Sequence, residues 1–324
     1  VPNISLSAFQ NSLTQRNNKS LIMGGKFSYP PILADIQSLE IEKNDIEGMK
    51  KCEVGNCELK MSSAMIKRLQ TEIDWAAPDY QPQSTQLFRQ LLLDYVKDYS
   101  TRGDGALIQF DNQKKIVRLN EEHRDLLNQL LFIKEFAPEF AGYLKNFPRS
   151  QIPDVENDFY WSKINFGLKP VVTLTHKSAF QQQNNANQQF LVVTKQIYAS
   201  RYIDSSLALT VMINIHLRDN IYDTYLIFTN QSRSDSLDGI FSGFKRSIVE
   251  QEAKERAKEL LQQAKLRIET ESKKQSEPTF PEEETGIFRQ IWNQTKNPVI
   301  QIFLFLFLAV TLVVLYRKWR FTRI

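Results

Sequence analysis

From Leu207 to Leu217 every second residue is apolar: Leu207, Leu209, Val211, Ile213, Ile215 and Leu217, with Thr210, Asn214 and His216 on the opposite side. A period of two predicts a strand with one buried face. The same rhythm starts near residue 168 in LKPVVTLTHKS, pauses in the polar loop QQQNNANQQ (181–189), and resumes in FLVVTKQIYAS. After the strand at 207–217, RDNIYD turns the chain into TYLIFTNQS. Consecutive strands with short polar connections predict an antiparallel meander. From 63 to about 147 the spacing is helical instead. Ile66, Leu69 and Ile73 are three and four apart, and Phe88, Leu91, Leu92, Tyr95 and Tyr99 continue the pattern, as do Leu126, Leu127, Leu130 and Leu131. APDYQP (77–82) and TRGDGA (101–106) read as breaks between helices, and FPRSQIPD closes this part. Residues 1–62 read as mixed, with short strands around LIMGGKF and LADIQSLEI.

Beyond the sheet the pattern predicts a long helix over roughly 240–272. Val249, Ala253, Ala257, Leu260, Ala264 and Ile268 form a narrow apolar stripe for packing on the sheet or on a partner helix. Glu250–Lys254 and Glu252–Arg256 are i,i+4 pairs in the favourable order. SKKQSEPTFPEEETG (272–286) reads as a polar, proline-containing linker. It leads to PVIQIFLFLFLAVTLVVLY, the uncharged residues 298–316. A helix of this length spans roughly 28 Å, close to the bilayer hydrocarbon thickness. Pro298 suits a first helical position, and Trp292, Tyr316 and Trp319 suit the two lipid–water boundaries. The expectation is a single transmembrane helix. Phe303, Phe307, Val310 and Val314 fall on one face of it, a bulky ridge suited to docking on an integral membrane protein partner.

Charge adds direction to this picture. The chain of 324 residues carries 41 basic and 37 acidic residues, and its last eight, RKWRFTRI, hold Arg317, Lys318, Arg320 and Arg323 with no acid. Everything upstream is neutral overall, which excludes an electrostatic footprint for nucleic acid. Positive residues stay inside, so residues 317–324 are expected in the cytoplasm and the large domain outside. A tail-anchored protein facing the cytoplasm is the competing topology. The sequence opens VPNIS, without an initiator Met, as in a processed or truncated chain.

Both cysteines lie in CEVGNCELK (52–60). Zinc sites use three or four ligands, and the three histidines are far away in sequence; redox and haem motifs use C-x-x-C, which is absent. Val54-Gly55-Asn56 is turn chemistry. A Cys52–Cys57 disulfide is the expectation, as suits an extracytoplasmic domain; two buried thiols or a reactive pair are the alternatives. GKFSYPPILADIQSLEI, CEVGNCELKMSSAMIKRLQ and YWSKINFGLKPVVTLTH resemble segments of a group of uncharacterised bacterial exported proteins. That group shares a Cys-x-x-Gly-x-Cys-x-x-Lys pattern, met here by Cys52, Gly55, Cys57 and Lys60. The resemblance runs from about residue 24 to 250 and implies a bacterial, exported domain. The long charged helix and the anchor depart from it.

Chemistry is sparse. His216 and His176 read as exposed or rim residues, without a pattern that completes a site. Glu121 to Asp125 reads as a charged helix start, lacking the second histidine of a zincin helix. No phosphate loop or nucleophile elbow is present. Asp154, Glu156 and Asp158 read as carboxylates in a connection beside Pro153. The aromatic stretch DFYWSKINFG (158–167) offers Phe159, Tyr160, Trp161 and Phe166 for a ligand groove, against a core-edge role.

The sequence therefore predicts an α+β fold with a helical first half (about 63–150), an antiparallel sheet and long C-terminal helix (about 165–271), and a single transmembrane helix. Residues 1–271 form the extracytoplasmic domain, 272–297 the linker and juxtamembrane segment, 298–316 the span and 317–324 the basic tail. The functional reading is a non-catalytic accessory or structural subunit of a larger membrane protein complex. It sits in a bacterial cell membrane with its large domain in the periplasm or cell exterior. Its partners are the lipid bilayer and integral membrane protein, with no cofactor, catalytic or metal residue assigned. A membrane-tethered binder of lipid or another apolar ligand, with a helix-grip-like domain, is the alternative; an enzyme is the second.

Overall fold

A computed structural model describes residues 6–13, 20–165, 169–184, 187–218, 221–234 and 242–276. The N-terminal elements are α1 (Leu6–Ser12), β1 (Leu21–Lys26), a 3-10 turn (Leu33–Ile36), α2 (Lys43–Lys50), α3 (Ser63–Glu72) and α4 (Tyr80–Arg102). A second 3-10 turn (Gly103–Ala106), β2 (Gln109–Phe110), β3 (Val117–Arg118), α5 (Leu119–Gln129), α6 (Leu131–Phe136) and α7 (Pro138–Asn146) follow. Then come β4 (Val155–Ile164), β5 (Val171–Asn184), β6 (Asn187–Ala199), β7 (Ser205–Arg218), β8 (Ile221–Arg233) and α8 (Ser242–Ser276). β1, β4, β5, β6, β7 and β8 lie in that order in one antiparallel sheet, and β2 pairs with β3 in a small ribbon. Residues 1–272 form one compact unit; of the second, 273–324, only 273–276 are described.

Helices form at Ile66–Leu69 and Phe88–Tyr99 as the spacing predicts, but the β2–β3 ribbon interrupts the helical half and Leu130 separates α5 from α6. α3 starts at Ser62, whose hydroxyl accepts the Met65 N–H at 3.3 Å. α4 buries Phe88, Leu91, Leu92, Tyr95, Val96 and Tyr99 against α2, α3 and the β4–β6 end of the sheet. Burying each such side chain contributes roughly 1.5–3 kcal/mol. α4 ends at Gly103, which has φ 58° and returns its N–H to the Tyr99 carbonyl. A Cβ there would lie 1.8 Å from the Phe147 carbonyl oxygen. Only glycine fits.

The meander also forms, but both of its faces are covered. On one side Leu191, Val193, Leu207, Leu209 and Val211 pack under α5, α6 and α7. On the other, Phe190, Val192 and Met212 pack against Leu6 and Phe9 of α1 and Ile268 of α8. This explains why FLVV runs apolar without alternation: a strand covered twice has no polar face. It corrects the expectation of one buried face for β7, where Thr210 and Asn214 are buried as well. Ala264 and Ile268 of the predicted α8 stripe are buried; the side chains of Val249 and Ala253 lie outside the described residues.

Three further expectations are corrected. LADIQSLEI is not a strand: Asp35 accepts the N–H groups of Ser28 at 3.0 Å and Ile32 at 2.8 Å, which fastens a 3-10 turn after Pro30-Pro31. Glu156 and Asp158 are not in a connection, since β4 begins at Val155 and joins β1 to the meander. The third concerns the fold class, which was expected to include a single transmembrane helix. Among the described residues no helix is long and apolar enough to cross a membrane. Long α8 carries Glu, Lys and Arg along its length, which bars it from hydrocarbon. The stretch 298–316, with Phe303, Phe307, Val310 and Val314, lies outside the described residues.

Candidate functional site

The cysteine loop starts where α2 stops. The Cys52 N–H closes the helix end on the Met49 carbonyl at 3.1 Å, and a reciprocal pair of 3.0 Å bonds between Glu53 and Asn56 folds Val54-Gly55 into a tight turn. Gly55 has φ 83°, which a side chain would oppose. Cys52 and Cys57 are joined in a disulfide, and both are buried. The loop docks on the β2–β3 ribbon through Gly55 N–H to the Asp111 carbonyl (2.7 Å) and Cys57 N–H to the Asn112 carbonyl (2.8 Å). With its sulfurs bonded to each other, the pair is a staple.

Lys60, three residues on, enters the interior. Its N–H donates to the Ser200 carbonyl at 2.8 Å, and its carbonyl accepts the Tyr198 hydroxyl at 2.9 Å. Its ammonium forms an ion pair with Asp204, both side chains 4% exposed, 5.3 Å from the centre of the Phe110 ring. Beside it, Arg201 pairs with Asp45 of α2 at 2.9 Å and donates to the Pro170 carbonyl at 3.2 Å. These charges tie the cysteine loop and α2 to the β6–β7 turn. Single-partner removal from such a pair is costly, because the remaining charge is desolvated.

The second polar cluster lies under the sheet, around His176 on β5. It is buried, which corrects the expectation of an exposed or rim histidine. Its position shares parity with inward-facing Val172 and Leu174, so the strand aims it at the helices. The His216 side chain lies outside the described residues. Nε2 of His176 lies 2.9 Å from Asn157 Oδ1, a pure acceptor, so Nε2 carries the proton; Nδ1 then accepts the Tyr99 hydroxyl at 3.1 Å. Asn157 Oδ1 also accepts the Ser178 hydroxyl at 2.9 Å, and its Nδ2 donates to Tyr143 at 2.7 Å. Phe159 stacks on the imidazole at 4.8 Å between centroids, and Phe147 lies tilted against it at 4.4 Å. Burial, then the charge of Lys195, push its pKa down to about 3 against the opposing pull of Asp158.

Lys195 and Asp104 form an ion pair beside the ring of Tyr99, whose centre is 5.7 Å from the ammonium. Burial lowers the Lys195 pKa, and Asp104 opposes this. His123 of α5 bonds through Nε2 to the Gln196 carbonyl at 2.9 Å; burial and then Lys195 hold it well below the usual histidine range. Tyr99, His123, His176, Ser178, Val193 and Lys195 surround a cavity of about 20 Å³. That volume holds a water molecule and no larger ligand.

The parts resemble a catalytic inventory, but the proton positions oppose that use. Ser178 Oγ lies 3.2 Å from Nε2 of His176, yet Nε2 is a donor and the hydroxyl gives its proton to Asn157. A serine is activated by a base that accepts its proton. An imidazole held neutral down to about pH 3 is also far from the range in which general bases work. His176, Tyr99, Asn157 and Ser178 form a closed hydrogen-bond network in the core, while Nδ1 of His123 is buried at the same cavity without a hydrogen-bond partner.

Of the aromatic stretch, Phe159 and Trp161 point into the core, where the indole N–H donates to the Asp35 carbonyl at 2.7 Å. Tyr160 faces the other side, hydrogen-bonded to Asp158 at 3.0 Å with Lys177 over its ring, and Phe166 lies outside the described residues. Asp158 itself pairs with Lys26 at 2.6 Å and Lys177 at 3.0 Å. Among the described residues no three His, Cys, Asp or Glu side chains are grouped to hold a metal ion.

Sequence reading missed the Lys60–Asp204, Arg201–Asp45 and Lys195–Asp104 ion pairs. Lys195 could have been found, since it shares parity with the apolar Leu191 and Val193. The Lys60–Asp204 pairing spans 144 residues and leaves no local signal. Compared with protein-family models, curated proteins and solved structures, the chain matches none of them.

Proposed function

We propose that the chain is a non-catalytic, extracytoplasmic protein of a bacterial envelope that acts as an accessory or structural subunit of a larger membrane protein complex. The observation that carries this reading is the state of the buried polar groups. Among the described residues, His176, Ser178 and Tyr99 are bonded to one another and to Asn157 beside a void of water size, and Ser178 gives its proton to Asn157 rather than to a base. A protein whose reactive groups hold its own core together acts through its surface. The disulfide supports an oxidising compartment. The apolar composition of 298–316 and the four basic residues after it support a place at the membrane. The bacterial, exported origin implied by the Cys-x-x-Gly-x-Cys-x-x-Lys resemblance belongs to the same reading.

The test separates surface from chemistry. Tyr99→Phe and Ser178→Ala remove one hydroxyl each with little change of shape. Cells carrying either variant in place of the natural chain should grow and assemble their envelope as before, provided the protein accumulates normally. A variant that folds and accumulates at the natural level but behaves as a deletion would overturn the reading in favour of an enzyme.

A further inference from the structure

We propose that β8 is a dimerisation edge: two copies of the chain pair β8 with β8 antiparallel about Phe228, joining two six-stranded sheets into one. The sheet has two edges, and they are built differently. β1 has six residues, a register irregularity between Leu21 and Met23, the pair Gly24-Gly25 and a half-exposed Lys26. Those are devices that blunt an edge against strand addition. β8 has 13 residues, IYDTYLIFTNQSR, pairs with β7 in unbroken register from Tyr222 to Arg233 beyond an irregularity between His216 and Arg218 of β7, and has no lysine, proline or glycine. Among the described residues no strand pairs with its outer side. Tyr225 and Ile227 on one of its faces are 51% and 46% exposed. Such a strand offers a row of backbone donors and acceptors to another strand.

The strand's own sequence selects the occupant. Its charged residues are Asp223 and Arg233, equidistant from Phe228 and on the same face. A two-fold axis at Phe228 sets Asp223 opposite Arg233 of the second copy at both ends. Between these ends, Ile227 meets Thr229 and Tyr225 meets Gln231. The β-branched Ile227 and Thr229 then face each other on both sides of the axis, a cross-strand arrangement that stabilises sheets. Arg233 already bridges Glu122 at 2.9 Å and Asp125 at 3.5 Å, so these carboxylates adjoin each end of the interface. Its guanidinium has five N–H donors, enough for the additional partner. A shift of the axis by one residue leaves both charges without a partner in the opposite strand. This inference does not depend on the accessory-subunit reading: a homodimer is compatible with either an enzyme or a structural protein.

The full chain, purified in mild detergent, should have a protein mass by light scattering of twice 37.8 kDa. Ile227→Lys places like charges near the axis and should bring that mass down to one chain with an unchanged far-UV circular dichroism spectrum, and its urea unfolding midpoint should not vary with protein concentration, whereas that of the natural chain should. Chains carrying Ile227→Cys and Thr229→Cys test the register, because the native cysteines are joined to each other. Mixed, the two variants should form a covalent dimer several-fold faster than either alone. A monomeric mass for the natural chain at micromolar concentration overturns the proposal. So does a dimer that survives Ile227→Lys, or crosslinking no faster in the mixture than in either variant.

Discussion

Lowering the pH should destabilise this protein well above the range where carboxylates titrate, and His176 is the main identified cause. In the unfolded chain its imidazole has a pKa near 6.5; in the fold, burial and the charge of Lys195 bring it down to about 3. Between these values the unfolded state binds one more proton than the folded state. Stability is therefore complete above pH 6.5 and is lost progressively as pH falls toward 3. Each pH unit in that window is worth about 1.4 kcal/mol, so His176 alone removes about 2 kcal/mol between neutrality and pH 5. His123, also held low by burial and then by Lys195, adds loss in the same direction. The assay is urea unfolding of the purified chain at pH 7.5, 6.5, 5.5 and 5.0, for the natural protein and for His176→Gln. The variant starts less stable, having lost the ring that Tyr99 and Asn157 hold. Its stability should nevertheless fall by about 2 kcal/mol less than the natural protein's over the same interval. Equal pH slopes in the two proteins would refute the reasoning, since His123 and His216 are common to both.

The disulfide predicts that non-reduced protein resists alkylation at Cys52 and Cys57, and that Cys52→Ser with Cys57→Ser lowers unfolding stability by about 2 kcal/mol for so short a loop; rapid labelling of both thiols in intact protein would contradict it. At the buried ion pair, Asp204→Ala should cost about 3–5 kcal/mol, whereas Lys60→Met with Asp204→Leu should recover much of that in denaturant titrations. A double variant no more stable than Asp204→Ala would mean that Lys60 is held by other contacts. Gly103→Ala, which would drive a methyl into the Phe147 carbonyl at a positive φ, should cost more than about 1 kcal/mol by thermal or urea unfolding. A neutral result would show that the α4 terminus relaxes freely.

The parts of the fold that were legible rest on local repetition. The alternation from Leu207 to Leu217 and the three-and-four spacing from Phe88 to Tyr99 each report a face, and a face persists whatever covers it. What covers it is a non-local fact. Nothing near Met212 indicates that Phe9, two hundred residues earlier, lies in the same cluster. β1 was legible as a strand, but β4 was hidden because its mixture of Asp, Tyr, Trp and Lys reads as a connection. Asp158 is satisfied by strand neighbours, Lys26 from β1 and Lys177 from β5, while Lys163 reaches Glu42 and the Glu40 carbonyl outside the sheet. The disulfide could be argued from the absence of further ligands around Cys52 and Cys57. The inward histidine could not be argued as readily, because a histidine in a strand is polar by default and becomes a core residue only when Tyr99 and Asn157 occupy both ring nitrogens.

This chain is proposed to work as a non-catalytic part of a larger assembly. The most direct test is to tag the chain at its natural locus, extract it in mild detergent, and weigh and sequence the particle that carries it. The expected result is a particle heavier than two copies of the 37.8 kDa chain, with the same other chains present in fixed ratio across independent preparations. A particle containing one or two copies of this chain and no other protein would contradict it.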